Sequence, residues 1–395
     1  MNYKPSKKII DHIERQEHAK AVALFKSLDK DDSDYIKSLF TITEMAIRDK
    51  INFPKNDIEL WVKNLDDELL SDNALANYLK GLYYYDIKEY EKAEDNLNKC
   101  LKLNNHFKPA IDLLSTVLLE SEKWEEAERL LKKMVSPNEM ECHNLVNLAI
   151  AQMRQNKLIE ALESAKKGKV ISRPDQISSV HVNLGTIYQE LGRFGKAKYH
   201  YKKALSINSC NTNTFINLGV LEIQQRNFLK AEIMLRKALQ IDPTNIKAKV
   251  NLAGTLLIQN KVSEGWDLYE ARLINSEHIM EEPKGIMKWN GKDKCKELLL
   301  VHEQGFGDTF QFIRYAEYMS LKGIKCSFYG PKKLHGIIST SDHISGCYSN
   351  TSELPKNINY WVAMMSLPSI AGASLNDDKI TTKPYLCADR ERINK

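Results

Sequence analysis

Asn183-Leu184-Gly185, with Ala197, Tyr201 and Ala204 behind it, is followed 34 residues later by Asn217-Leu218-Gly219 with Ala231, Leu235 and Ala238. This doubled stretch decides the fold, because a fixed period of that length is the mark of a repeat architecture. Working outward, the windows are 74–107, 108–141, 142–175, 178–211, 212–245 and 246–279, with two extra residues between the third and fourth. Position 20 of the window is Ala93, Ala127, Ala161, Ala197 and Ala231, and Gly265 in the last. Position 8 is Gly81, Ser115, Ala149, Gly185, Gly219 and Ala253. Small residues recur where two helices of one hairpin must approach closely, and a larger side chain there overpacks the contact at a cost of ~1–3 kcal/mol. Position 24 carries Tyr201, Leu235 and Tyr269, read as the large partners that fill the space between repeats. Pro243, at position 32, ends its helix.

These positions together resemble the tetratricopeptide repeat: five copies match well and the sixth in part, about half of the chain. The resemblance implies an α-helical solenoid over 74–279, a right-handed superhelix with a concave inner face that takes a protein or peptide. Position 6 is asparagine in four consecutive copies, Asn147, Asn183, Asn217 and Asn251, whereas the earlier copies have Leu79 and Leu113. Equal positions in successive repeats form a row, and an asparagine amide offers both donors and an acceptor to an extended peptide backbone. The row resembles the inner ladder of the repeat-bearing protein O-GlcNAc transferases. Residues 1–73 are helix-prone and poorly patterned, a cap or degenerate repeats. Ala21, Leu24, Phe25 and Leu28 have helical spacing, residues 60–70 form a further apolar stripe, and a polar turn over 29–34 lies between.

Composition narrows the function classes. With 57 Lys and Arg against 52 Asp and Glu, the chain is close to balanced, unlike a dedicated nucleic-acid binder. The uncharged run 360–376 contains Ser, Pro and Gly and lacks the ~20 apolar residues of a membrane span. The charged N-terminus is not a signal peptide. Seven scattered cysteines without a CxxC pair or metal-ligand spacing point to reduced thiols in the cytoplasm and to no metal or other cofactor.

After a junction at 260–291, where Pro283 and Gly285 break the helix and Trp289 reads as a packing tryptophan, residues 280–395 change character. Strands are expected over 297–302, 325–329 and 360–364, with helices over 310–319 and 331–338. Such alternation implies a parallel α/β sheet. Between the first strand and its helix lies His302-Glu303-Gln304-Gly305-Phe306-Gly307-Asp308. This is the carboxyl edge of a parallel sheet, where ligands bind. The glycines let the backbone turn sharply and approach a ligand, and the helix start favours an anionic group. Phe310 stands where a dinucleotide loop needs its third glycine, and no Walker lysine follows, which excludes both nucleotide loops. Arg314 is read as an ion-pair partner of Glu317, and Lys332 and Lys333 as a solvated helix start.

The run Glu303-Gln304-Gly305-Phe306-Gly307-Asp308 with Gln311-Phe312-Ile313-Arg314-Tyr315 resembles the opening of the glycosyltransferase domain of bacterial tetratricopeptide proteins. That domain is similar to the heptosyltransferases. Glu264-Gly265-Trp266 before the run, and Met365-Ser366-Leu367-Pro368 and Pro384-Tyr385-Leu386 after it, agree. The resemblance implies a Rossmann-like domain, the N-terminal half of a two-domain GT-B enzyme. It makes Asp308 the general base that takes a proton from an acceptor hydroxyl, with Glu303, Gln304, Gly305 and Gly307 toward a glycan acceptor. Helix capping is the structural alternative for Asp308. No second glycine-rich strand–turn–helix follows, so the donor half is expected to be missing, and a nucleotide sugar to bind only with a second half-domain. The expected function is therefore a repeat protein that binds a protein or glycan acceptor through a partial transferase domain. The alternative is a peptide-binding adaptor with no catalytic role.

Overall fold

Each 34-residue window folds into a helical hairpin because its apolar face and its turn recur at fixed places. A computed structural model of the protein describes residues 5–15, 17–28, 73–134, 141–275, 282–371 and 384–387, with scattered positions between 35 and 62. The chain forms two compact units, Met1–Ser209 and Cys210–Lys395, and the division falls inside the run of repeats. The polar turn over 29–34, most of the stripe over 60–70 and the charged tail over 389–395 lie outside the described residues.

In the first unit α1 (Pro5–Glu14) and α2 (His18–Lys26) precede four hairpins. These are α3 (Ala74–Asp86) with α4 (Tyr90–Leu103), α5 (Lys108–Glu120) with α6 (Trp124–Met134), α7 (Cys142–Arg154) with α8 (Leu158–Ile171), and α9 (Ile177–Glu190) with α10 (Phe194–Ile207). Ala21 and Phe25 are buried, as their spacing predicts. The second unit opens with α11 (Thr212–Gln224) and α12 (Phe228–Ile241), then α13 (Ile246–Ile258) and α14 (Val262–Tyr269). Asparagine just before a window starts three of the first helices: the side chains of Asn73, Asn211 and Asn245 accept from backbone N–H groups two or three residues on. The turn inside each hairpin is made at position 15, where Lys88, Glu122, Asn156, Gly192, Arg226 and Asn260 all have φ between 58° and 68°. Only one of the six is glycine, which is why the turn did not stand out in the sequence.

The small residues do what their spacing predicts. Ala93, Ala127, Ala161, Ala197 and Ala231 are fully buried. The large residue at position 24 fills a different space from the one expected: it lies inside its own hairpin, against position 8. A Cβ at Gly185 would come within 2.5 Å of the Tyr201 ring, and one at Gly219 within 2.7 Å of Leu235. Successive repeats are instead tied by a polar clamp, with the carboxylate at position 21 facing the lysine at position 16 of the next window. The pairs are Glu94–Lys123 at 2.9 Å, Glu128–Lys157 at 2.7 Å and Glu232–Lys261 at 2.6 Å. Burial works to raise the Glu128 carboxyl, but hydrogen bonds from Lys132, Lys157, Gln155 and Gln152 outweigh it and hold it at about 2.

The rest of the second unit is a parallel sheet of β1 (Met287–Lys288), β2 (Glu297–Val301), β3 (Lys325–Tyr329), β4 (Ile344–Tyr348) and β5 (Tyr360–Ala363), in the order β1-β5-β2-β3-β4. The expected strands at 297, 325 and 360 form its centre. Strands β1 and β4 were not anticipated: one has two residues and the other, Ile-Ser-Gly-Cys-Tyr, has little apolar signal. Alternate residues of β2 face opposite sides, Leu298 and Leu300 toward one apolar cluster and Leu299 and Val301 toward another, so the sheet is buried on both faces. The first face is covered by α15 (Phe306–Phe312), α16 (Tyr315–Leu321) and α17 (Lys332–Ile338), together with Trp266 and Trp289. Leu273, just past the last hairpin, packs against the second.

Gly185→Ala tests the close approach. The added methyl meets a fully buried tyrosine ring that has nowhere to move, so the clash outweighs the better helix propensity of alanine. The variant is expected to lose a net ~1–2 kcal/mol in chemical denaturation.

Candidate functional site

The carboxyl edge of the sheet is where the second unit can meet a ligand. Strand β2 ends at Val301, and the next four residues turn into α15. The sharp backbone bend is at Gln304, with φ +46°, and not at either glycine. Gly305 is extended, with φ −84°, and Gly307 lies within the helix. The helix begins at Phe306, earlier than the expected 310, and breaks at Ile313-Arg314 into two seven-residue pieces. Gln304 is held in its bend by a hydrogen bond from Nε2 to the Tyr269 hydroxyl, 3.2 Å. A Cβ at Gly307 would meet nothing within 4 Å, so the space beside it is open.

Asp308 occupies the third position of α15, where its Oδ2 accepts the Gly305 N–H at 3.2 Å. It thus caps the helix from inside, not from in front as its place before Thr309 suggested. Its carboxylate also supplies the negative charge that a helix N-terminus favours. Next to it, His302 Nδ1 lies 2.6 Å from Thr309 Oγ1 in a buried pair. Burial pushes the His302 imidazole below its usual value, with the nearby Asp308 charge acting in the opposite direction. This pair had no sequence signal beyond a histidine at a strand end.

Glu303 is the residue whose placement departs most from a ligand-facing role. Its carboxylate is 2% exposed and receives Arg272 Nε at 2.9 Å and Nη2 at 3.1 Å. Its Oε1 also accepts the Met365 backbone N–H at 2.7 Å. Arg272 in turn donates to Ser366 Oγ at 3.0 Å and to the Tyr269 carbonyl at 3.1 Å, and stacks over the Tyr269 ring. One buried ion pair therefore fastens the end of the last hairpin, the turn after β2 and the segment after β5 to one another. Arg314, expected to pair with Glu317, lies over the Tyr385 ring at 4.9 Å and donates to its hydroxyl at 3.2 Å. Lys332 and Lys333 are exposed at the start of α17.

The asparagine row is half-buried at all four positions but not uniform. In the first unit Asn147 donates to Ser115 Oγ of the preceding hairpin at 2.9 Å, and Asn183 donates to the Ser179 carbonyl of its own helix at 3.0 Å. In the second unit Asn251 does the same with the Lys247 carbonyl at 2.8 Å. For Asn183 and Asn251 these bonds fix the rotamer and leave the Oδ1 acceptor and one amide hydrogen outside them. Asn217, in α11, is also half-buried.

Residues 74–107, 178–209 and 212–245 match models of the tetratricopeptide repeat, so these hairpins are tetratricopeptide repeats, a protein-interaction module. No curated protein matches the chain. Among solved structures, a tetratricopeptide repeat protein from Parabacteroides merdae is similar at 15% identity, with a TM-score of 0.54 over 64% of this chain and 97% of that one. This likeness shows the helical-repeat fold. A chain of the APC/C Cut9–Hcn1 hetero-tetramer is 16% identical with a TM-score of 0.48, and the match covers 66% of this chain and only 50% of that one. YrrB, described as a TPR protein with an unusual peptide-binding site, is 18% identical with a TM-score of 0.36, covering 50% of this chain and 96% of its own. No helix among the described residues is long and apolar enough to cross a membrane.

Arg272→Ala leaves the Glu303 charge buried without its partner and is expected to lower stability by ~3–5 kcal/mol. The double change Arg272→Met with Glu303→Gln removes both charges, while the new amide oxygen still accepts the Met365 N–H. Urea denaturation should then show most of the loss restored; a double variant as unstable as the single one contradicts the ion-pair account.

Proposed function

We propose that the protein binds an extended polypeptide along the first helices of its tetratricopeptide repeats, gripping backbone more than side chains. The observation that carries this reading is the half-buried asparagine at position 6, locked by its own helix at Asn183 and Asn251 with amide groups left to bond a strand of peptide. One neutral donor and an acceptor at a fixed rotamer suit peptide groups, which are neutral and recur at regular intervals. The test is selection from a display library of random unstructured peptides, followed by affinities for the selected sequences. Asn183→Ala and, separately, Asn251→Ala are each expected to weaken binding by roughly threefold to tenfold, about one hydrogen bond, with the fold unchanged. Unaltered affinity in both variants rules out the asparagine grip.

A second reading is favoured by the turn after β2. We infer that the C-terminal part is the acceptor-side half of a glycosyltransferase-like domain, as the motif around Gly305 and Asp308 suggests, with a nucleotide sugar held by a second α/β half. In this reading Asp308 is the base, since one carboxylate oxygen caps the helix and the other is left to take a hydroxyl proton. Gln304, Gly305 and Gly307 lie beside the acceptor, and Glu303 positions the turn through Arg272. Transfer from nucleotide sugars to a captured peptide or glycan, followed by mass spectrometry, is expected to fall at least about 100-fold on Asp308→Asn. Transfer at an unchanged rate removes Asp308 from that role.

A further inference from the structure

A parallel sheet gathers all of its strand starts at one edge, opposite the turn just described. Here that edge encloses an open cavity of about 770 Å³. Lys296 and Lys325 stand at the starts of β2 and β3, Lys294 on the preceding loop, and Asn359 and Tyr360 at the start of β5. All three lysines are exposed, and none has an ion-pair partner among the described residues. The one carboxylate in the wall, Glu297, is already engaged by the Asn357 amide and by the Ser327 hydroxyl at 3.2 Å. The three loops that form the edge, 292–297, 322–325 and 355–359, carry six lysines against two carboxylates. Concave walls lined by one sign of charge concentrate counter-ions of the other. Three ammonium groups from the starts of two neighbouring strands suit an anion that presents several oxygens in different directions, because each lysine acts as a freely rotating point charge.

We propose that this amino-edge cavity binds a multiply phosphorylated anion, either a free polyphosphate-type ligand or the headgroup of a phosphorylated lipid. The site is independent of the repeat face and of the turn after β2, so it stands or falls apart from the readings above. The probe is tripolyphosphate, titrated calorimetrically into the full chain at low ionic strength. Saturable binding that weakens as salt is added is expected. The triple variant Lys294→Ala, Lys296→Ala, Lys325→Ala should bind about tenfold more weakly, the combined effect of three exposed charge contacts. Its melting temperature should not change. Lys332→Ala with Lys333→Ala, which removes two exposed charges at the other edge, should bind like the parent. Co-sedimentation with phosphatidylcholine vesicles, with and without phosphatidylinositol bisphosphate, identifies the source. Capture by the phosphorylated vesicles, lost in the triple variant, assigns a lipid headgroup, and binding of tripolyphosphate alone assigns a soluble ligand. The absence of saturable binding by the parent to either probe, or equal binding by the triple variant, overturns the proposal.

Discussion

The close approach of two helices within each hairpin is the constraint on which the rest of this chain depends. A bare position 8 accepts a large position 24, as Gly185 accepts Tyr201 and Gly219 accepts Leu235. A close-packed interior leaves such a contact little room for added volume. A hairpin of this kind buries only one flank by itself. Its neighbours cover the other, and the clamps from Glu94, Glu128 and Glu232 add a charge-assisted register to otherwise non-directional packing.

The same logic meets a different partner at the end of the last hairpin. There the continuation is a sheet, and the register is set by Arg272 and Glu303. Taking a guanidinium and a carboxylate out of water is unfavourable unless both are well bonded. The geometry meets that demand: two bonds join the pair, Ser366 and the Tyr269 carbonyl take further Arg272 donors, and the Met365 N–H reaches the carboxylate. A buried pair with so many fixed partners tolerates one arrangement of three segments. It thereby sets the orientation of the Gln304–Asp308 turn, whose own conformation is unfavourable at Gln304.

Much of the chemistry was legible in residue types, and the errors were of placement. Asp308 was read either as a base or as a cap, and it does cap, but backward from the third helical position. The glycines around it were credited with a bend that Gln304 makes, because a glutamine in the left-handed region is held there by the distant Tyr269, which no local pattern reveals. Glu303 was read as meeting an acceptor or holding the turn by hydrogen bonds, and a partner 31 residues away shows it doing the second. Arg314 was read as a partner for Glu317, and a contact 71 residues away decided otherwise.

By itself the sequence determined the hairpins, their boundaries and the three central strands, since these follow from periodicity, small-residue spacing and short apolar runs, all local properties of the chain. Only the tertiary structure decided which space Tyr201 and Leu235 fill, that Arg272 and Glu303 bind each other, that β1 and β4 flank the sheet, and that lysines from two loops share one cavity. The physical reason is common to all of these. Partners distant in sequence are chosen by burial, shape and hydrogen-bond satisfaction once the elements have packed, and those conditions exist only in the folded chain.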